Sequence, residues 1–423
     1  MGALALLAAW GSGALAIGSP LELRVSVAEP FIQAGRLETE VIVKRLPLPQ
    51  APVTASRKLG RVTESLSAAL DDTLTALVRE ATPPRFAFVG GHWVVRQHSA
   101  WRPDATQTRR DVLNAILNGR SSAPVTLTLT PPNPDVPALY ANGVTQLVAS
   151  GVSTFYGSPS FRVTNIRVGV GRLDGLLVAP GQTFSFNTAL GPTTVAEGYV
   201  DGYVILNNTL SLEPGGGICQ VSTTVFRAAW NAGLPLVERH NHSYLVHYYD
   251  PPGLEATVYA PRMDFKFLND TANGLYLQWS LDGARATARL DLFGAARDRR
   301  VQVNDPVILA RTPAPGPRFS ADAAIPLGQA RLLDGAEPGV RVYVSRAVTY
   351  ANGKTRNDRV DSNYTPWGAI WRVNPNDPRL APPKPPAPDP AKIPLASPTK
   401  APPARADPAG PASKGGADSH RPG

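Results

Sequence analysis

Proline and glycine interrupt this chain so often that strands, turns and short connections are favoured over a helical bundle. There are 43 Pro and 37 Gly in 423 residues, and only 18% of residues are charged. A chain of this length is expected to form about two to four domains, with ample residues for a sizeable core. The fold class read from the sequence is α+β: a β-rich multidomain protein with few helices. From Pro378 onward the composition collapses to mostly Pro, Ala, Lys and Asp, which cannot form a packed core. Residues 376–423 are therefore expected to be a disordered, Pro-rich tail.

Residues 1–20 carry MGALALLAAWGSGALAIG, an apolar run without a charged side chain. Its length approaches the lower limit of a membrane span, and no basic region precedes it, as a signal peptide would require. Export or membrane anchoring is the expectation. Residues 21–56 read as a strand-rich lead-in, ending in the Pro-rich connection PLPQAPV. Residues 57–134 read as an α+β module. It has a helix over 63–80 with Leu66, Leu70, Leu74 and Leu77 at helical spacing and Thr63 as N-cap. A Gly90-Gly91 hairpin follows, then a second helix over 104–118.

Residues 140–285 form the central domain, in which TNIRVGV, GYVILNN, ATVYA and LYLQWSL read as strands around one helix opening near Cys219. A β/linker region, 286–337, leads to a β module over 338–375 with a turn at Asn352-Gly353. The formal charge is +9, from 42 basic and 33 acidic residues, and 381–423 contributes +3, from six Lys/Arg and three Asp. No Lys/Arg stripe with interleaved aromatics is present, so nucleic acid is not an expected partner. An anionic lipid surface or an acidic polymer such as a cell wall fits the charge.

Cys219 is the chain's one cysteine, so no intramolecular disulfide can form. It follows Gly215-Gly216-Gly217-Ile218 and precedes a helical pattern stopped by Gly233 and Pro235. A thiol on the first turn of a helix meets partial positive charge, which favours the thiolate, and unpaired N–H groups there can stabilise an oxyanion. Downstream, His240 and His242 would share one strand face, and a His near a thiolate can serve as its base. Asp250, Glu255 and Asp264 are the carboxylates available to orient that imidazole.

Other readings of the same residues stay open. Cys219 can be a small buried core residue. His240 and His242 with Cys219 or Asp264 can bind zinc. Arg239 and the His pair can close a hydrogen-bond network. Asn187, in the loop Gly181–Asn187, can cap a turn or line a cleft.

At these residues the sequence resembles the VanW-like family, named for a protein of vancomycin-resistance gene clusters. The resemblance covers roughly residues 150–270 and rests on several motifs. They are Ser153-Thr154-Phe155, Asn165-Ile166, Pro180-Gly181 with Thr183–Asn187, Gly191, Gly198-Tyr199, Gly215–Thr224, and Glu238-Arg239 with His242-Ser243. Where the family shows Asp-Ala-Thr, this chain has Glu255-Ala256-Thr257. Residues 57–134, especially Phe86–Trp93, look like the peptidoglycan-binding type of module often found ahead of this domain, and 338–373 is similar to a short G5-type module.

The resemblance implies a bacterial envelope location and supplies no reaction. A looser likeness, to transglutaminase-like and papain-like folds, would make Cys219 the nucleophile, His242 the base and Asp264 the orienter. Gln220, Ser222, Thr223, Arg239, Asn187 and Trp93 are the candidate ligand-binding residues. Peptidoglycan or its stem peptides, and a membrane through the N-terminal segment, are the expected partners. No metal or cofactor is expected. Two functions follow: a cysteine enzyme acting on peptide or acyl bonds of peptidoglycan, or a non-catalytic wall-binding protein.

Overall fold

The computed structural model describes residues 19–206, 209–296 and 298–380. The expected apolar segment and tail lie, but for their inner ends, outside the described residues. Among the described residues, no helix is long and apolar enough to cross a membrane. Residues 19–318 and 332–371 belong to one compact unit, and 319–331 with 372–380 to a smaller one. In the smaller one, Asn374 Nδ2 donates to Ile325 O (2.8 Å) and Arg379 pairs with Asp377 (2.7 Å).

The larger unit begins with a hairpin of strands Glu22–Gln33 and Arg36–Pro47. Leu23, Val25 and Val27 alternate inward, as a half-buried strand requires. The first of these strands also pairs with His92–His98, which pairs in turn with Thr82–Val89. The lead-in and the module after it therefore share one sheet, and the sequence boundary at 56/57 is not a structural one.

Helices Glu64–Leu77 and Ala105–Leu117 form where the apolar spacing places them. Thr63 and Asp104 cap them by accepting from Leu66 N and Gln107 N. Leu66, Leu70, Leu74 and Leu77 are all buried, in a core with Val53, Trp101 and Ile116. The expected Pro-rich connection is instead the start of helix Gln50–Leu59. Pro49 is its N-cap and Pro52 lies in its first turn, where a missing N–H removes no helical hydrogen bond.

The central domain is built around helix Ile218–Asn231, which lies on a sheet ordered Gln146–Thr154, Thr287–Gly294, Leu275–Asp282, Leu177–Val178. Gly151 permits this approach, since a Cβ there would stand 2.1 Å from Thr224 O and 2.5 Å from Ala228 N. The sheet takes in Thr287–Gly294, so the domain extends past the expected boundary at 285.

TNIRVGV is not a strand but the middle of helix Ser160–Leu173. Ile166, Val168 and Val170 alternate in sequence, yet the buried set is Arg162, Asn165, Ile166, Gly169, Val170 and Leu173. That is a helical period, and the core selected it over the equally legible alternation. ATVYA likewise forms no strand, only isolated bridges of Thr257 to His240 and Tyr259 to Met263.

The last sheet centres on Gly339–Tyr350, which turns at Gly353 (φ 80°) into Thr355–Tyr364. Its other edge pairs with Arg299–Val303 and Val307–Thr312, so part of the expected linker belongs to this module. The module also reaches the central helix. Arg346, 1% exposed, donates to Ala229 O (3.1 Å), Trp230 O and Leu234 O (2.5 Å), and pairs with Asp358 (2.7 Å). It thus caps the carbonyl end of the helix whose amino end carries Cys219.

Candidate functional site

The glycine run positions the thiol. Gly217 adopts φ 113°, open to glycine and strained for other residues, and ends the turn directly before Ile218. Cys219 therefore falls on the helix's first turn, where Ile218 N and Gln220 N donate to Gly215 O (3.1 Å) and Gly217 O (3.0 Å). Beyond it the helix is buried nearly all round, including Ser222, Thr223 and Thr224. These hydroxyls are not free for a ligand. Ser222 Oγ donates to Ala256 O (2.5 Å), and Thr223 Oγ1 accepts from Ala256 N (3.2 Å). They tie to the helix the loop that carries Glu255 and Thr257.

That loop completes a chain of side chains. The imidazole of His242 lies close enough to the Cys219 thiol for each to shift the other's ionisation. Its Nδ1 meets Glu255 Oε2, which leaves Nε2 for the sulfur. Glu255 Oε1 accepts from His242 N (3.1 Å) and from Tyr364 Oη (2.8 Å), and stands 3.5 Å from Arg239 Nη2. The Tyr249 ring stacks on the imidazole with centroids 4.7 Å apart. Thr257 Oγ1 (3.5 Å) and Val258 O (3.7 Å) lie against the sulfur.

The electrostatics follow from this geometry. Burial raises the Cys219 thiol, but hydrogen bonding and charge from His242, with Thr257 and Val258, bring it below its ordinary value. Burial alone would lower His242, yet Glu255 and then Cys219 lift it to about 10. Glu255, despite burial, is held below the usual carboxylate range by His242, Arg239 and Tyr364. The arrangement stabilises a thiolate–imidazolium pair with a carboxylate behind the ring.

The structure places the expected site residues unevenly. Cys219 and His242 come together. Asp264 does not join them: it accepts from Ser185 Oγ (2.6 Å), Asn187 N (2.9 Å) and Phe265 N (2.8 Å), so Glu255 takes the position expected of it. His240 turns to Glu238 (3.0 Å) and is 40% exposed, which separates it from His242 and removes the paired-His metal geometry.

Asn187 is structural, with Nδ2 donating to Met263 O (2.9 Å). Gln220 is fully buried between Arg162 and Thr154 O. Arg239 is engaged by Glu255 O, Gly253 O and Ser362 Oγ. Trp93 packs edge-on against Phe88 and Phe293, at the junction of the first sheet with the central one. A small depression beside His242 is lined by Leu245, Val246, Tyr249, Pro252 and Tyr364. A roomier hollow lies at the other end of the helix, between Val148, Asn231, Ala232, Arg299 and Val301, away from the thiol.

Sequence reasoning passed over Arg162, Tyr249 and Tyr364. Tyr364 lies 109 residues beyond Glu255, and no local pattern links the two. Its hydroxyl also accepts from Gly253 N (3.0 Å), so Tyr364→Phe strands two buried partners. We expect a stability loss of about 2 kcal/mol, read as a lower urea midpoint at constant slope. An unchanged midpoint would show that these bonds contribute nothing.

The fold and site together define a strand-rich α+β multidomain protein with a thiol–imidazole–carboxylate chain in its central domain. Residues 161–290 match the model of the family described as VanW like protein, so this stretch of the chain is a VanW-like domain. It is 41% identical over 131 residues to the uncharacterized protein YoaR of Bacillus subtilis, covering 31% of this chain and 43% of that one. It is 32% identical over 116 residues to the vancomycin B-type resistance protein VanW of Enterococcus faecalis, covering 26% of this chain and 42% of that one. The chain thus spans less than half the length of the curated relatives it matches. The crystal structure of HP0197-G5 is similar at 20% identity over 18% of this chain and 97% of its own, with a TM-score of 0.10.

Proposed function

We propose that this is a cell-envelope enzyme that transfers an acyl group from a peptidoglycan stem peptide through a thioester on Cys219. The observation that carries this reading is the buried His242, hydrogen-bonded through Nδ1 to Glu255 and electrostatically coupled to the Cys219 thiol. In the first step the thiolate attacks the amide carbonyl, and helix N-terminal N–H groups receive the oxyanion. His242 then gives its proton to the leaving amine, and the C–N bond breaks. In the second step water or an amine attacks the thioester, His242 takes the attacker's proton, and the thiolate leaves. Glu255 keeps the ring oriented and stabilises its charge.

The envelope location is supported by the apolar N-terminal run and by similarity to a vancomycin-resistance protein. The basic balance and the module before the central domain support contact with the wall. In the second reading, a recognition module without catalysis, Cys219 is a core residue. Its half-buried position and its His242 partner favour the first.

The test is incubation of the full-length protein with soluble peptidoglycan fragments, with and without an added amine, followed by mass spectrometry. New cleavage or exchange products, absent in Cys219→Ala, are expected. Fragments unchanged by the wild type across a panel of stem peptides would refute the enzyme reading. Wall contact is read separately: the protein should sediment with purified peptidoglycan at low salt. Complete retention in the supernatant would remove the wall as partner.

A further inference from the structure

Arg162 takes no part in the link from Cys219 to Glu255, yet it lies against both ends of the thiol's surroundings. Its stem packs on the turn before the cysteine, where a Cβ on Gly217 would stand 2.7 Å from Arg162 Cγ. Its Nη2 donates to Gln220 Oε1 (2.8 Å), on the residue after the cysteine, and to Tyr249 Oη (3.3 Å), whose ring stacks on His242. Its Nη1 donates to Ser158 Oγ (2.6 Å), and Tyr248 covers one face of the guanidinium at 3.9 Å. All of these partners are neutral.

Arg162 is only 7% exposed, and among the described residues no carboxylate lies within ion-pair distance of it. The buried Arg239, Arg299 and Arg346 each have such a partner. A buried guanidinium without a counter-charge is costly to hold. The edge bearing Nη1 faces Ser158, within a stretch where Tyr156, Gly157, Pro159 and Ser160 are exposed.

We infer that Arg162 is a carboxylate-binding residue of the Cys219 site and takes an ionised carboxyl that the substrate carries beside the amide under attack. The inference rests on the thiol reaction proposed above and narrows its substrates to peptides with a free carboxylate flanking the scissile bond. An Arg fork suits that task better than a point charge, because its planar donors match a carboxylate.

The test compares iodoacetate with iodoacetamide as alkylating agents of Cys219 in the full-length protein. Both lose iodide to the thiolate, and they differ in carrying a carboxylate or its neutral amide. The ratio of their rates therefore reads the charge beside the sulfur rather than the amount of thiolate. In the folded wild type this ratio should exceed that of the denatured protein by roughly tenfold or more, the scale of a charge-assisted hydrogen bond. His242 contributes to that preference, so the variants decide. Arg162→Gln should lower the ratio several-fold, and Arg162→Lys should retain most of it. Equal ratios in wild type and Arg162→Gln overturn the assignment.

Should the Gln variant not fold, protection of wild-type Cys219 from iodoacetamide by acetyl-alanyl-alanine and by its C-terminal amide gives the same decision. The acid should protect at roughly tenfold lower concentration, and equal protection overturns the inference. An iodoacetamide pH profile with an ordinary thiol pKa is a different result, which removes the thiolate reading and the inference with it.

Discussion

His242→Ala is expected to slow alkylation of Cys219 by iodoacetamide at pH 7 by about 30-fold or more. In the wild type the thiol is lowered and His242 is raised to about 10. The thiolate–imidazolium pair therefore exists between those two values. The wild-type rate should climb at lower pH than an ordinary thiol's and then stay level until His242 titrates near 10. Without the imidazole, burial pushes the thiol up, opposed only by the contacts of Thr257 and Val258. The thiolate at pH 7 then falls to about 1% or less. The lower intrinsic nucleophilicity of a weakly basic thiolate offsets part of this difference, which is why the expected factor is not larger.

The same shifts set a stability profile. The raised His242 contributes stability that is full below its ordinary 6.5 and lost as pH climbs toward about 10. The lowered Cys219 contributes stability that is full above its ordinary 9.0 and lost as pH falls through its folded value. Above about 9.0 the unfolded chain has lost its thiol proton while the folded pair keeps the His242 proton to about 10, so stability declines there. Superimposable alkylation profiles in wild type and His242→Ala would refute the pairing.

Arg346→Ala is expected to destabilise the larger unit by about 3–5 kcal/mol, the range for breaking a buried ion pair. The guanidinium is fully buried, and burial brings it down to about 10 although Asp358 opposes this, so it stays charged at neutral pH. It holds three carbonyls at the end of the central helix and stacks 4.2 Å over Trp230. Removing it leaves those acceptors buried without a donor and opens a cavity beside the indole. Urea unfolding followed by tryptophan fluorescence measures the effect. A loss under about 1 kcal/mol would mean that water or a neighbouring donor replaces the arginine. A large loss would make the downstream β module a structural requirement of the domain that carries Cys219, although it lies outside the segment matched by the family model.

Local order was legible in the sequence wherever one residue or one period carried the signal. Proline and glycine content set the strand-rich class. Leucines at helical spacing marked Glu64–Leu77, and a Thr63 cap marked its start. The glycine run marked the first turn that holds Cys219, because a backbone at φ 113° points strongly to glycine.

What the sequence could not determine was partnership across long separations. Asp264 and Glu255 were equally available as carboxylates, and only the packing of the 253–259 loop on Ser222 and Thr223 brought Glu255 to His242. TNIRVGV carried both an alternating and a helical period, and the core decided between them by burying Asn165, Ile166, Gly169 and Val170 on one face. Tyr364, Arg346 and Arg162 reach the central helix or its histidine from distant segments or from a face that no local pattern marks. Hydrogen-bond acceptors and counter-charges are chosen by proximity in space, and proximity between residues a hundred positions apart is a property of the folded chain alone.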